Sequence, residues 1–233
     1  MSEEILVSAS RIKTFLTCPM KYYYKYVLKL PDRKNVYAAN GIACHKSIER
    51  GHILKQEGID VESDQHKSDV INTYNTIMQE ESDQVEDLSN FQGVYRDGIR
   101  MVNAYTFHRD PIINEYYFKV NIQGIEFIGY IDQWYEWGFV DLKTNKQKPS
   151  KLVLDNDPQF ILYSRVFKEL TGEYPKDIYW HHLRTGEDIS VNPGNFSSLM
   201  RAVDSMLKIE EEPYKIVGYQ CNYCDYKDTC FRD

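Results

Sequence analysis

The sequence predicts an α/β (α+β) fold, a central mixed sheet flanked by helices, on three observations. Apolar residues recur at helical spacing before residue 110 and again after residue 158. Between those regions lie three consecutive stretches rich in Ile, Val, Tyr, Phe and Trp, separated by short Gly-containing or polar turns. The chain of 233 residues, 42% hydrophobic and 14% aromatic, is ample for one continuous core, so helical layers around a sheet are the natural packing.

The elements follow in order. Ile12, Phe15 and Leu16 recur at helical spacing behind Ser8, so a helix capped by that serine runs to Thr17, where Cys18-Pro19 interrupts it. A second helical stretch over 20–30 interleaves Tyr22, Tyr23, Tyr24 and Tyr26 with Lys21, Lys25 and Lys29. After a polar turn, Asn40-Gly41 opens a third helix that carries Cys44, His45, Ile48 and His52. Residues 66–108 read as two longer helices split near Leu88-Ser89-Asn90, and the segment 56–110 is read as a helical insertion. Strands over 113–120, 124–135 and 137–144 form an antiparallel meander. A helix over 158–170 ends at Thr171-Gly172, a strand spans 177–183, and a last helix over 195–209 leads into a cysteine-rich tail. The whole chain, 1–233, reads as a single domain.

The net charge of −7 argues at first against a nucleic-acid binder, but it is an average over different surfaces. Residues 1–55 carry 10 basic and 4 acidic side chains, net +6, whereas 56–118 carry 4 basic and 13 acidic, net −9. Disorder, collagen-like repeats and coiled coil are disfavoured by composition, and no apolar run reaches the roughly 18 residues of a membrane span. The opening Met-Ser-Glu-Glu-Ile has neither a basic nor an apolar leader segment, so a cytoplasmic, reducing home is expected. Disulfides between Cys18, Cys44, Cys221, Cys224 and Cys230 are correspondingly disfavoured.

Three tripeptides have the form Asp-x-Lys, at 32–34, 141–143 and 225–227, about as many as chance provides. Only Asp141-Leu142-Lys143 ends an apolar strand, where period two puts the carboxylate and the ammonium on one face. Alone, such a pair is as readily a plain ion pair. The preceding strand, however, contains Gly129-Tyr130-Ile131-Asp132, and an antiparallel return brings Asp132 beside Asp141. Two adjacent carboxylates repel unless a hard cation lies between them, and Mg²⁺ or Mn²⁺ suits oxygen ligands best. Lys143 could then face the attacking water or an anionic group, which gives the parts of a metal-assisted phosphodiester hydrolysis site.

Gly129-x-Ile-Asp132, then Asp141-x-Lys143, then Gln159-x-x-x-Tyr163 resembles the PD-(D/E)XK nuclease superfamily in its RecB-like branch. Gly41-x-x-x-His45 resembles the helical histidine motif of that branch, and Ser10-Arg11-Ile12 through Cys18-Pro19-x-Lys21-Tyr22 resembles its iron–sulfur members. The resemblance implies a restriction-endonuclease-like core. It implies His45, Asp132 and Asp141 as metal ligands, with the main-chain carbonyl of Leu142 completing the set. It also implies Lys143 as the residue that positions or activates water, and Gln159 and Tyr163 beside the site. Gln159 and Tyr163 are four residues apart on a helix and share a face, an independent geometric support. Glu115, on the strand before Asp132, is a further candidate carboxylate. The Pro that precedes the Asp in the superfamily's name is absent here. His181 and His182 match nothing and are read as strand residues, and Cys44 as a small packing residue.

Cys221-Asn-Tyr-Cys224, with Cys230 five residues further on, reads as three thiolate ligands on a compact loop, and spacing alone leaves zinc and iron–sulfur open. Joined to Cys18, the arrangement is similar to that of the CRISPR-associated RecB-like 4Fe-4S nucleases and of AddB-type nucleases. That resemblance implies a 4Fe-4S cluster held by Cys18, Cys221, Cys224 and Cys230, in a lobe of residues 1–30 with 211–233. Closing so long a loop stabilises by several kcal/mol in chain-statistics terms, roughly as a disulfide does.

The function expected is a metal-dependent DNA nuclease, an exonuclease on single strands or DNA ends, with DNA as substrate. CRISPR integration proteins or a recombination complex are the partners that the resemblance implies. Lys21, Tyr22, Lys25 and Tyr26 are candidates for DNA contact, set against the simpler reading that the tyrosines pack the cysteine lobe. The alternative, a noncatalytic DNA-binding or assembly subunit, is disfavoured by the intact Asp132, Asp141 and Lys143.

Overall fold

The structure, a computed structural model, describes residues 6–209 and 213–231. The chain enters through a short strand, β1 (Leu6–Val7), and helix α1 (Ala9–Thr17), whose Ser8 cap accepts from the Arg11 N–H. Helix α2 (Pro19–Tyr22) passes into a π-helical turn (Tyr23–Val27), and Lys29 adopts a φ of 53° beyond it. The helical stretch expected over 20–30 is thus continuous over 19–27, with its second half π-helical. Helix α3 (Val36–Gln56) starts four residues before the expected Asn40, because the Asn35 side chain accepts the Ala38 N–H and caps it there. Helices α4 (Asp64–Ser82) and α5 (Phe91–Ala104) follow. Strands β2 (Ile113–Ile122), β3 (Ile125–Tyr135) and β4 (Gly138–Lys143) form the meander. Then come α6 (Lys151–Asp155), α7 (Pro158–Thr171), β5 (Asp177–His182), β6 (Glu187–Ser190) and α8 (Phe196–Leu207). A 3-10 turn (Tyr219–Tyr223) and α9 (Lys227–Cys230) close the described chain. Strands β1 and β6 and helix α6 are two to five residues long, too short for a periodic signal, and the sequence did not reveal them.

Among the described residues, six strands form one mixed sheet. Strand β2 pairs antiparallel along one edge of β3; the other edge takes β1 in parallel at Glu126 and Phe127, and β4 antiparallel at Gln133, Trp134 and Tyr135. Strand β5 lies parallel to β4, and β6 closes the sheet. Gly138 lets β4 start this close to β5, since a Cβ there would stand 1.9 Å from the Asp177 carbonyl oxygen.

Two apolar layers cover the sheet. On one face Ile12, Phe15, Phe139, Phe160, Leu162, Val166 and Val203 join α1, α7 and α8 to the strands. On the other, Val140 and Leu142 of β4 meet Ala43, Ile48, Tyr74 and Met101 of α3, α4 and α5. Adjacent residues of β4 therefore point into different cores, and a fully buried strand carries one carboxylate, Asp141, between them. No helix of the described residues is long and apolar enough to cross a membrane.

Candidate active site

Strands β3 and β4 pair only as far as Gln133↔Val140 and then part, so Asp132 and Asp141 stand at the fork. The Leu142 N–H, instead of bonding the β3 main chain, donates to Asp132 Oδ2 at 2.6 Å. Across β3, the β2 ladder skips the Glu115–Asp132 rung, and Glu115 has a φ of 51°, a left-handed conformation that a non-glycine side chain adopts at a cost of about 1–3 kcal/mol. The kink turns the Glu115 and Asp132 carboxylates toward α3. There His45 Nδ1 lies 3.5 Å from Asp132 Oδ1 and 3.7 Å from Glu115 Oε1. The ligand atoms of His45, Glu115 and Asp132 all fall within 4.8 Å of one another, a set able to hold a metal ion. A protonated His45 ring and a bound cation are thus alternative ways of balancing the two carboxylates at this spacing.

Asp141, on the other strand, stands outside that group of three but near enough for the Asp132 charge to act on it. Its carboxylate is 1% exposed; Oδ1 accepts from Gln159 Nε2 at 2.7 Å, and Oδ2 lies 2.8 Å from Lys143 Nζ. The Oδ2–Lys143 ion pair lacks regular hydrogen-bond geometry, so the buried Asp141 carboxylate has one oxygen held by an amide and the other by an ammonium. The electrostatics agree. Burial pushes the Asp141 carboxyl up to about 6, with Lys143 opposing and the Asp132 charge adding to the rise. Burial also acts on Asp132, but the His45 charge beside it holds that carboxyl below the usual range. For His45, burial works downward, yet Asp132 and Glu115 carry its pKa up to about 10. Lys143 is raised despite burial, chiefly by Asp141 and Asp132, so it remains an ammonium.

Helix α7 supplies the third side. Its cap Asp157 accepts the Gln159 N–H at 2.8 Å and pairs with Lys13 Nζ of α1 at 2.8 Å. Lys13 also donates to Gln159 Oε1 at 3.0 Å, which obliges the amide to present its NH₂ to Asp141. Tyr163 packs edge-on against Phe118 and Phe139, and its hydroxyl lies close enough to Gly129 that an added Cβ would stand 3.3 Å away. Lys13 was not identified from sequence: a lone lysine on an amphipathic helix gives no signal until α1 is seen against α7.

The other candidate residues divide. Cys44 is fully buried, and its thiol is pushed up to about 12 by burial, as a packing residue. His181 bonds Asp188 at 2.8 Å, and His182, the ladder partner of Lys143, bonds the Asn145 carbonyl at 2.8 Å. Of the residues read as possible DNA contacts, Tyr22 is 5% exposed and belongs to the core beside Phe15, so that expectation is corrected. Lys25 pairs with Asp32, and Tyr26 packs against the same core under Arg11.

The four cysteines Cys18, Cys221, Cys224 and Cys230 line one pocket with Met20 and Tyr24. Burial raises the Cys230 thiol, with Lys215 opposing and the nearby sulfurs of Cys18, Cys224 and Cys221 adding. The tail is fixed to the N-terminal helices by the Met20 N–H to the Tyr214 carbonyl, 3.2 Å, and by the Tyr226 hydroxyl to the Leu30 carbonyl, 3.2 Å. Four soft donors line one pocket from opposite ends of the chain, a donor set that suits an iron–sulfur cluster, although among the described residues the sulfurs are not grouped tightly enough to hold a single metal ion.

Residues 6–231 match the family model of the PD-(D/E)XK nuclease superfamily. Among solved structures, the chain is similar to one from Eubacterium rectale described as a candidate exonuclease, with a TM-score of 0.57 and 14% identity over 95% of this chain and 86% of that one, a likeness of fold. The crystal structure of SSO0001 gives a TM-score of 0.45 at 13% identity over 99% of this chain and 87% of that one, too distant to carry an argument. No curated protein matches the sequence.

Proposed function

We propose, from the premise that the chain belongs to the PD-(D/E)XK nuclease superfamily, that it hydrolyses phosphodiester bonds of DNA at the β3–β4 fork with Mg²⁺ or Mn²⁺. The observation that carries this reading is the convergence of His45, Glu115 and Asp132 at the fork where the buried Asp141–Lys143 pair also stands. His45, Asp132 and Asp141 would hold the ion, with Glu115 as a further carboxylate and the Leu142 main chain alongside. The ion's chemistry there is Lewis-acid activation of water and neutralisation of phosphate charge. Lys143, kept protonated by the two aspartates, holds an anionic oxygen of the substrate and does not take a proton. Gln159 fixes the Asp141 carboxylate through its amide, and Tyr163 walls the site from the core side.

The finer reading is an exonuclease acting on single strands or ends. The description of the Eubacterium rectale protein supports it. The pocket of four cysteines supports a structural 4Fe-4S cluster, and a role in CRISPR spacer acquisition or in viral or recombination DNA processing rests on the resemblance of that cysteine arrangement alone. A time course on DNA labelled at the 5′ or the 3′ end, with Mg²⁺, Mn²⁺ or a chelator, tests the activity. Single-nucleotide products from one labelled end, only with metal, are the expected result. Internal fragments from both labels would replace the exonuclease with an endonuclease, and no cleavage under any metal would favour a binding module. Protein purified anaerobically should be brown; colourless protein with stoichiometric zinc would overturn the cluster.

A further inference from the structure

Tyr117 of β2 and Tyr130 of β3 are direct cross-strand partners, their ring centroids 5.1 Å apart and their planes tilted by 49°. Both rings are about half exposed, 50% and 55%, although a core lies on the opposite side of the same strands. The neighbours Tyr116, Phe118 and Ile131 point into that core. By strand alternation Tyr130 shares a face with Asp132, two residues along, a step of roughly 7 Å, and the kink at Glu115 turns that carboxylate to the same side, toward His45. Lys46, next to His45 on α3, is close enough to Glu115 and Tyr130 to feel both, and its ammonium, paired with Glu49 at 2.8 Å, stays partly exposed. An aromatic ledge with a cation at its edge thus adjoins the metal-ligand group without a break.

We infer that the Tyr117–Tyr130 ledge stacks the unpaired base next to the scissile phosphate, with Lys46 against the adjoining phosphate, and so selects single-stranded over duplex DNA. The inference rests on the nuclease reading of the fork. A strand drawn to the fork passes over this face, and the step from the carboxylates to the rings suits one nucleotide of an extended chain. Bases within a duplex have both faces covered by their neighbours, so only an unpaired base can use the ledge. The simpler role, a cross-strand pair that stabilises the sheet, predicts no dependence on the bases of the substrate.

Fluorescence anisotropy with a labelled single strand and its duplex, in chelator so that nothing is cut, tests the ledge apart from the chemistry. Tyr117→Thr with Tyr130→Thr, β-formers that keep the strand, should weaken single-strand binding about tenfold and duplex binding less than twofold, and the paired Phe substitutions should recover it. With wild-type protein and Mn²⁺, an abasic residue walked along the strand should slow cleavage about tenfold at one position relative to the cut, and the Thr double variant should show no such position. Unchanged single-strand binding in the Thr variant, or a flat abasic profile in wild type, would overturn the ledge while leaving the nuclease reading intact. Absence of cleavage by wild type would count against the nuclease reading, and the anisotropy would still decide the ledge.

Discussion

Gln159 shows how one side chain is placed from two directions. Its backbone is fixed by the Asp157 cap and its amide by Lys13, so the NH₂ reaches Asp141 as a donor. Lys13 touches no reacting group, and its effect on chemistry passes through that amide. Lys13→Met is expected to lower kcat about tenfold with KM little changed, and Lys13→Arg to restore most of it. An equal loss in kcat and affinity would make Lys13 a substrate contact instead. Gly129 is a second positioned residue: an added Cβ would press the Phe118 ring at 2.7 Å and crowd the Tyr163 hydroxyl. Gly129→Ala should cost about 1–3 kcal/mol in urea unfolding and reduce cleavage as well. At this scale the places of Asp132, Asp141 and Lys143 in the strands were legible from period and turns, and Gln159 and Tyr163 from the family resemblance, while the roles of all five are proposals. Lys13 and the firm place of Glu115 were not, because both depend on contacts between distant elements or on a backbone kink.

Among elements, the fork matters most. Strand β4 pairs with β5 along its whole length but with β3 for only three residues, which frees the Leu142 N–H to bind a carboxylate. The opposite edge kinks at Glu115, so the ladders on both edges of β3 are interrupted at the level of Asp132. The meander was readable from alternation and turn residues, but neither the fork nor the kink has a sequence signature, since each arises from pairing. The start of α3 was misplaced for a related reason: Asn40-Gly41 looked like an opening, whereas Asn35 makes the capping bond. Asn35→Ala should lower stability by about 1 kcal/mol, read from the urea midpoint at unchanged slope. The cysteine tail ties the last described helix to the first two. Cys221→Ala is expected to lose the brown colour and several degrees in Tm, and retention of both would remove Cys221 from the ligand set.

Over the whole molecule, the sheet separates two cores, and the polar groups buried on the α3 side carry a pH dependence. His52 is 1% exposed and accepts from Gln133 Nε2 at 2.9 Å, and burial pushes its pKa down to about 4. The unfolded chain binds that proton near the ordinary value of 6.5, so between about 6.5 and about 4 unfolding takes up protons and stability falls with falling pH, by on the order of 3 kcal/mol. His52→Gln should flatten that part of the stability–pH curve. The acidic mean charge proved a poor guide, because the ionised groups that matter are few and clustered. Asp141 is the clearest of them: burial and the charge of Asp132 disfavour its ionised form, a local conflict expected where a site serves chemistry over stability. Comparison of wild type with Asp141→Asn, by DNA cleavage in Mn²⁺ and by Tm of the metal-free proteins at pH 7, tests that claim most directly. The account predicts a loss of cleavage of at least about a hundredfold together with a Tm equal to or above wild type. Cleavage at the wild-type rate by the folded variant would contradict it.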